Sequence, residues 1–368
     1  MIDPNESFDF LQPPNVSHSM EEIGHTLNSY FWTGEEKLLI TLGYCKNKKG
    51  QTTSDKVQGL VMNLPFLLYP VYKMLGFSSA FSFGLGALPL SLYCLGVGSL
   101  FLSLSNALHS HAWTVWRGKR EEAAPTQIKV MHLNACMFPG SLPYHFGKQV
   151  PASERLDLLG EKIKTKNPDL LFLSEMGQIF SRSLYNKIKE NYHLFIVNVG
   201  SISFGIDADL YCASKVKIEK VDFIQSQIPR IGDQKWMNRG YLIIETNAIK
   251  YIYTHLHPKD SEEAKEVRRR QIEEEILPIM KEGDKPSLLI GDLNIDRNTD
   301  EYQVITAHFD DLVENLITCQ EGEVKESIDY FLTLKGDNRL TVNPVEVDLD
   351  LDLSDHATLT TKSNSRLL

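Results

Sequence analysis

The sequence predicts a mixed α/β (α+β) domain over residues 128–368, preceded by a hydrophobic helical hairpin over residues 57–116. Three observations predict this. Strand-like apolar runs alternate with helical stretches after Ile128. Between Val57 and Trp116 the only Lys, Arg, Asp or Glu is Lys73. The bulk composition, 42% hydrophobic and 23% charged, is that of a folded chain rather than a disordered one.

Residues 1–56 read as a polar N-terminal segment with a short helix near Met20–Trp32. The acidic start, MIDPNESFDF, has no basic n-region and is not a standard secretory signal. Two apolar humps follow, residues 59–77 and 85–108. About 20 apolar residues rising about 1.5 Å each span a hydrocarbon core of about 30 Å. The alternative is a buried helical hairpin of a soluble domain; against it, no polar face recurs at helical spacing. Pro65 and Pro70 predict a kinked or partial first crossing. Trp113 and Trp116 suit an interfacial belt. Lysines at 46, 48, 49 and 56 precede the humps, and Arg117, Lys119 and Arg120 follow, which favours both ends on the cytoplasmic side. Residues 117–127 read as a linker.

Charge and cysteine content bound the partners. Net charge is −10; residues 1–125 hold 9 Lys and Arg against 10 Asp and Glu, and the remainder holds 29 against 38. That acidic balance argues against nucleic acid as a non-specific partner, because phosphate neutralisation supplies most of such affinity. Five cysteines are scattered with no CxxC pair, so neither a zinc framework nor a disulfide scaffold is indicated.

From Ile128 the strand-like runs are IKVMHLNAC, DLLFLSEM, LFIVNVG, YLIIET, IKYIYTHL, PSLLIGD and SIDYFL. The clearest helix spans Ser261 to Lys281, with Asp260 and Glu263 as its capping box and Gly283 as its stop. Chemistry-bearing residues gather where these strands end: Asn134, Glu175, His255 with His257, Asp292 with Asn294, Asp329, and Asp355 with His356. One acid after a strand is commonplace; six strands marked this way are not. Carboxylate and amide oxygens are hard ligands suited to Mg²⁺, with Mn²⁺ able to replace it. Histidines beside such an ion can bind a phosphate or transfer a proton. An Asp beside an Asn can position and deprotonate a water. Asp329, inside an apolar run, needs a partner such as the His356 imidazolium. The set implies metal-assisted hydrolysis of a phosphoester.

The order Asn134, Glu175, THL at 254–256, GDLN at 291–294, IDY at 328–330 and SDH at 354–356 resembles the endonuclease/exonuclease/phosphatase superfamily. The resemblance implies a four-layer sandwich of two mostly antiparallel β-sheets flanked by helices, with the site at one end. It implies that Asn134, Glu175 and Asp355 serve the metal, with Glu175 the main ligand. It also implies that His255 binds phosphate, Asp292 activates water, Asn294 contacts the phosphate, His356 is the general acid or base, and Asp329 orients it. The inositol-polyphosphate phosphatase branch, which carries a Trp before GD and a Cys-Asp-Arg segment, does not match LIGDLN and ESIDYF. NACMFPGSLP, FIVNVG, and THLHP followed by RRRQIEEE resemble the membrane-bound neutral sphingomyelinases, which also carry two hydrophobic segments ahead of the catalytic domain. FGIDADLYCASK departs from that family at Asp207 and Asp209, which puts the substrate rim in doubt. The expected protein is therefore a membrane-anchored, Mg²⁺-dependent phosphodiesterase acting on a membrane lipid, with a nuclease or another phosphoesterase of the same fold as the alternative. A catalytically silent scaffold is disfavoured by the intact set.

Overall fold

The computed structural model describes residues 113–137, 152–176, 178–200, 207–232, 234, 237–314 and 316–365. The polar segment 1–56 and the apolar humps lie outside them. Among the described residues no helix is long and apolar enough to cross a membrane.

Two large sheets organise the chain. The first runs in the order β1 (Thr114–Arg117), β4 (Leu194–Val197), β5 (Tyr211–Ser214), β3 (Leu170–Ser174), β2 (Ile128–Asn134), β16 (Ala357–Ser365) and β14 (Leu340–Val342), with β15 (Glu346–Leu349) also on β16. The second runs β10 (Phe309–Asp311), β13 (Asp329–Leu334), β9 (Ser287–Asp292), β8 (Lys250–His255), β7 (Gly240–Glu245) and β6 (Lys220–Gln225). A small hairpin pairs β11 (Cys319–Glu321) with β12 (Val324–Glu326). Among the described strands the pairings are antiparallel except β2 with β3, and β8 with β9.

Residue parity sorts side chains into layers. Val130, Phe172 and Ile196 from the first sheet meet Leu242, Tyr251, Leu288 and Phe331 from the second in a central core. The alternate residues Met131, Leu133, Leu171 and Leu173 pack outward on α1 (Ala152–Lys166) and α2 (Gln178–Ile188). Ile243, Ile252 and Leu289 pack outward beneath Ile272, Ile276 and Met280. Helix, sheet, sheet, helix is the four-layer sandwich expected, and it explains why the central strands read as unbroken apolar runs: both faces are buried.

Three expectations are corrected. First, the domain starts ahead of Ile128, and the hairpin does not run to Trp116. Thr114–Arg117 pairs with β4, and Trp116 is buried against Tyr185, with the Arg182 guanidinium 5.0 Å from its ring centroid. These residues form an edge strand, not an interfacial belt. A chain beginning at Trp113 is therefore expected to melt higher than one beginning at Arg117, which loses a buried Trp worth about 3–5 kcal/mol. Equal melting temperatures would place β1 outside the folded unit.

Second, the helix expected over Ser261–Lys281 is α3 (Glu262–Arg270), a π-helical turn (Gln271–Ile276) and α4 (Leu277–Lys281). The Leu277 amide reaches back five residues to the Ile272 carbonyl. This widened turn delivers the Glu275 carboxylate to the Ser226 hydroxyl, 2.7 Å away on the neighbouring sheet's edge. Third, the cap is Ser261, whose hydroxyl accepts from the Ala264 amide at 3.2 Å, rather than Asp260.

Gly291 sets the contact between β8 and β9. Its φ is +148°, and an added Cβ would lie 1.9 Å from the Thr254 carbonyl oxygen. Only glycine lets the chain pass there and still present Asp292. Gly291→Ala is expected to lower the melting temperature and to cost about 10²-fold in rate by displacing Asp292. Gly336→Ala, also at positive φ (+74°) but with nothing within 4 Å of the added carbon, controls for backbone strain alone. Equal effects at both positions would contradict this account.

Candidate active site

The carboxyl ends of the two parallel pairs meet at one end of the sandwich. Asn134 stands opposite Ser174 in β2–β3, and His255 opposite Asp292 in β8–β9. The two sheets are joined there by Asn134 Nδ2 donating to Asp292 Oδ2 at 3.0 Å. Antiparallel pairing places Asp329, the first residue of β13, directly across from Asp292. His356 immediately precedes β16, which pairs with β2.

Eight of the nine residues singled out in the sequence, all but His257, converge. His255 Nε2 lies 3.8 Å from Glu175 Oε1 and 3.7 Å from Asp292 Oδ2. His356 Nε2 lies 3.8 Å from the same Asp292 oxygen. Asn294, at φ +53°, donates its amide to Asp292 Oδ1 at 2.9 Å and its side chain to the Leu256 carbonyl at 3.1 Å. Asp355 adjoins His356, and its Oδ1 accepts from Ser354 Oγ at 3.2 Å. His257, two residues beyond His255, is also buried; its Nδ1 accepts from the Lys259 amide at 3.2 Å.

Asp329 is the electrostatic anchor. Its Oδ2 is 2.8 Å from His356 Nδ1, and its Oδ1 is 2.9 Å from His132 Nε2. Burial alone would raise its pKa, but the His356 charge and the hydrogen bonds from both histidines outweigh it. Its carboxyl is held well below the usual carboxylate range. In return, burial would lower His356, yet the Asp329 charge and hydrogen bond hold this imidazole well above its ordinary value. His255 behaves oppositely: burial, then the Arg239 charge, push it well below the ordinary value, so it is neutral. Asp292 is pushed up to about 6 by burial and by Asp329. One imidazolium, one neutral imidazole and one carboxylate poised to take a proton thus face one another.

The oxygen-rich side fits a hard divalent cation. Glu175, at φ +51° just beyond β3, is pushed up to about 8 by burial and by the Asp355 charge. Carboxylates crowded until one must stay protonated are the donor set that a cation relieves. Asn134 Oδ1 accepts from the Cys136 amide at 3.1 Å and keeps one lone pair. Asp292, Asp329 and His356 also offer ligand atoms within 4.8 Å of one another. Both Asp329 oxygens and His356 Nδ1 are already hydrogen-bonded, however, so this trio is better suited to moving a proton.

Three contributors escaped the sequence reading. His132 lies in mid-strand and fully buried, its ring 5.6 Å edge-on from that of Tyr253. Only its inward parity, on the face it shares with Ile128, Val130 and Asn134, marks it. Arg155 on α1 donates to the carbonyls of Ala135 (3.0 Å), Cys136 (2.6 Å) and Leu353 (2.8 Å), clamping the Asn134 loop to the Asp355 loop. Arg239, just before β7, is buried close to Asp209, Glu175 and Asp292, whose charges act on it. Asp207 and Asp209, expected at the substrate rim, are buried instead; Asp207 Oδ1 accepts from the Asp209 amide at 2.9 Å.

The comparisons agree with this architecture. Three solved structures resemble it: beta toxin from Staphylococcus aureus (TM-score 0.50, 20% identity, 64% of this chain and 99% of that one), an endonuclease/exonuclease/phosphatase from Bacteroides vulgatus (0.51, 17%, 66% and 100%), and D. rerio TDP2 complexed with a single-strand DNA product (0.50, 17%, 66% and 100%). At these identities the likeness is one of fold. A search of curated proteins finds no match. The sequence profile of the Endonuclease/Exonuclease/phosphatase family matches residues 131–356, a span from β2 to His356 that holds every residue placed at the site above, and the chain belongs to that family.

Proposed function

We propose that this protein is a divalent-metal-dependent phosphodiesterase of the sphingomyelinase type, a phospholipase C that releases a phosphorylated headgroup from a membrane sphingolipid or phospholipid. The observation that carries the hydrolytic reading is the pairing of His356 with Asp329 at 2.8 Å, with Asp292 3.8 Å from the far ring nitrogen. An acid held charged and a base held by two amide donors flank one space, as hydrolysis requires. Asp292 accepts a proton from the attacking water, which Asn294 helps to place. The water oxygen bonds to phosphorus, and the bond to the lipid oxygen breaks. His356 gives its proton to that departing oxygen, and Asp329 keeps the ring in place throughout. Neutral His255 donates to a phosphoryl oxygen. Glu175, Asp355 and Asn134 would hold a Mg²⁺ ion, which would supply charge neutralisation for the phosphate.

The lipid substrate is supported by the likeness of THLHP, RRRQIEEE and NACMFPGSLP to membrane-bound neutral sphingomyelinases, and by the apolar segments upstream. A membrane anchor over residues 57–112, with the catalytic domain on the cytoplasmic side, would raise the local concentration of a bilayer substrate. A nuclease is the second reading, since TDP2, similar in fold, is complexed with single-strand DNA product. Release of phosphocholine from sphingomyelin vesicles is measured against nicking of plasmid DNA, each with Mg²⁺ and with EDTA. Phosphocholine release that EDTA abolishes, without nicking, is the expected result. Nicking without release would make the protein a nuclease.

A further inference from the structure

The corner of the site formed by β7 and β8 holds polar groups that have no hydrogen-bond partner among the described residues. Arg239 is 5% exposed. Its Nε donates to Gln234 Oε1 at 3.0 Å, but its Nη1 has no hydrogen-bond partner. A guanidinium stays charged in a protein, and a buried N–H without an acceptor is costly. A water or a ligand satisfies such a group, and its place beside the catalytic carboxylates favours the ligand. Asp209 is the obvious counter-charge, yet its Oδ2 is also without a partner, so the two are not hydrogen-bonded through these atoms. Both ring nitrogens of His255 are likewise without partners.

The strand register explains why these groups share one corner. Tyr241 stands opposite Thr254 in the antiparallel β7–β8 pair, and the Thr254 hydroxyl donates to the Gly240 carbonyl at 3.0 Å. Arg239 therefore enters β7 beside the point where His255 leaves β8. Behind it, Asn238 is fixed by donating to the Gly200 carbonyl at 2.7 Å. The carboxylates of Asp209, Glu175 and Asp292 all act on the guanidinium, and its charge in turn reaches His255. A cation so placed lies beside the catalytic acids rather than in the sandwich interior.

We propose that Arg239 is a catalytic residue that donates through Nη1 to a non-bridging oxygen of the substrate phosphoryl group. This rests on the phosphoesterase reading above and adds a residue to it. The planar fork of arginine suits paired phosphoryl oxygens, and a donor fixed in advance toward developing charge stabilises the transition state. The competing role is structural: Arg239 would merely balance buried Asp209.

The test uses the full chain with Mg²⁺ and two readouts: turnover of a phosphodiester, and affinity for inorganic phosphate measured by calorimetry. R239Q is expected to lose about 10²–10³-fold in kcat/KM, the size of removing one such donor. Its phosphate affinity is expected to fall at least ~10-fold, the loss of one charge-assisted hydrogen bond. D209N is expected to stay within a few-fold of wild type, and R239Q/D209N to be no better than R239Q. Recovery of rate and phosphate affinity in the double variant would show that Arg239 is only the counter-charge of Asp209, and would overturn the proposal. So would unchanged phosphate affinity in R239Q, or no phosphate binding by wild type. Should R239Q not fold, R239K keeps the charge and changes the fork; a phosphate affinity equal to wild type would then refute the assignment. If wild type cleaves no phosphodiester but phosphate binding still depends on Arg239, the functional reading fails and the anion site stands.

Discussion

Glu175→Gln is expected to remove Mg²⁺-dependent turnover while the sandwich stays folded. The side chain stands just past β3, bordered by Asp355, Asn134 and His255, where burial and the Asp355 charge push its pKa to about 8. Glutamine keeps the shape and one oxygen but not the charge. Changes to groups that only support a metal ligand cost about 10–100-fold, so loss of the main ligand's charge is expected to cost at least that. The assay is kcat against Mg²⁺ concentration. Wild-type activity with the same Mg²⁺ dependence would take Glu175 out of the metal centre.

The same residue gives the metal-free protein a pH signature. Folded, Glu175 holds its proton up to about pH 8; unfolded, a glutamate releases it near about pH 4.3. Between those values the folded state binds more protons, so stability falls as pH rises. Asp292, pushed up to about 6, and His356, held high, contribute in the same direction, whereas Asp329, held low, favours the fold above the ordinary aspartate range, and His255, held low, opposes the decline through the ordinary histidine range. Melting curves in EDTA from pH 5 to 8 are expected to decline for wild type. They are expected to flatten in Glu175→Gln, and to be lifted most by Mg²⁺ at the alkaline end. A wild-type profile that rises over this range would contradict the raised pKa of the half-buried Glu175.

The site was legible where chemistry interrupts an apolar run. Glu175, His255 and Asp292 each close a buried strand, and a strand end is where a polar side chain can leave the core. Asp329 was legible as a group in need of a partner. His132 was not, because its partner lies 197 residues away and one histidine inside VMHLN looks like any core residue. Arg239 and Arg155 were missed for a related reason. Neither ends an apolar run, and their meaning comes from carbonyls and carboxylates brought close only by the fold. The misplaced boundary at Trp116 has its own cause: a strand buried at a sheet edge and a membrane segment are both apolar, and residues 113–116 continue the upstream composition without a break. The π turn was hidden because one extra residue in a helix leaves the pattern of apolar positions nearly intact.

Within GDLNID, Asp292→Asn is expected to be far more damaging to rate than Asp296→Asn. The two carboxylates lie four residues apart but have different surroundings. Asp292 ends β9, 1% exposed, held by the Asn134 side chain and the Asn294 amide, with the nitrogens of His255 and His356 at 3.7 and 3.8 Å. With Asn134 Nδ2 and the Asn294 amide both donating to it, an amide at 292 would have to turn one NH₂ toward a donor. It would also lose the basic oxygen that takes the proton of water. Removing such a base costs on the order of 10²–10⁴-fold. Asp296, by contrast, accepts from the Asn298 amide at 3.3 Å, the Asn298 side chain at 3.1 Å and the Ser327 amide at 3.2 Å. It closes the turn that leads into α5 (Tyr302–His308) and ties that turn to the start of β13. An asparagine there retains one acceptor, so the loss should be about 1 kcal/mol of stability with little change in rate. Measured kcat and melting temperature separate the cases: a large rate loss for Asp292→Asn, beyond whatever its buried donor-to-donor contact costs in melting temperature, and a lowered melting temperature with near-wild-type rate for Asp296→Asn. Equal rate losses, or a larger one at Asp296, would transfer the role of base to the second carboxylate and with it the position of the attacking water.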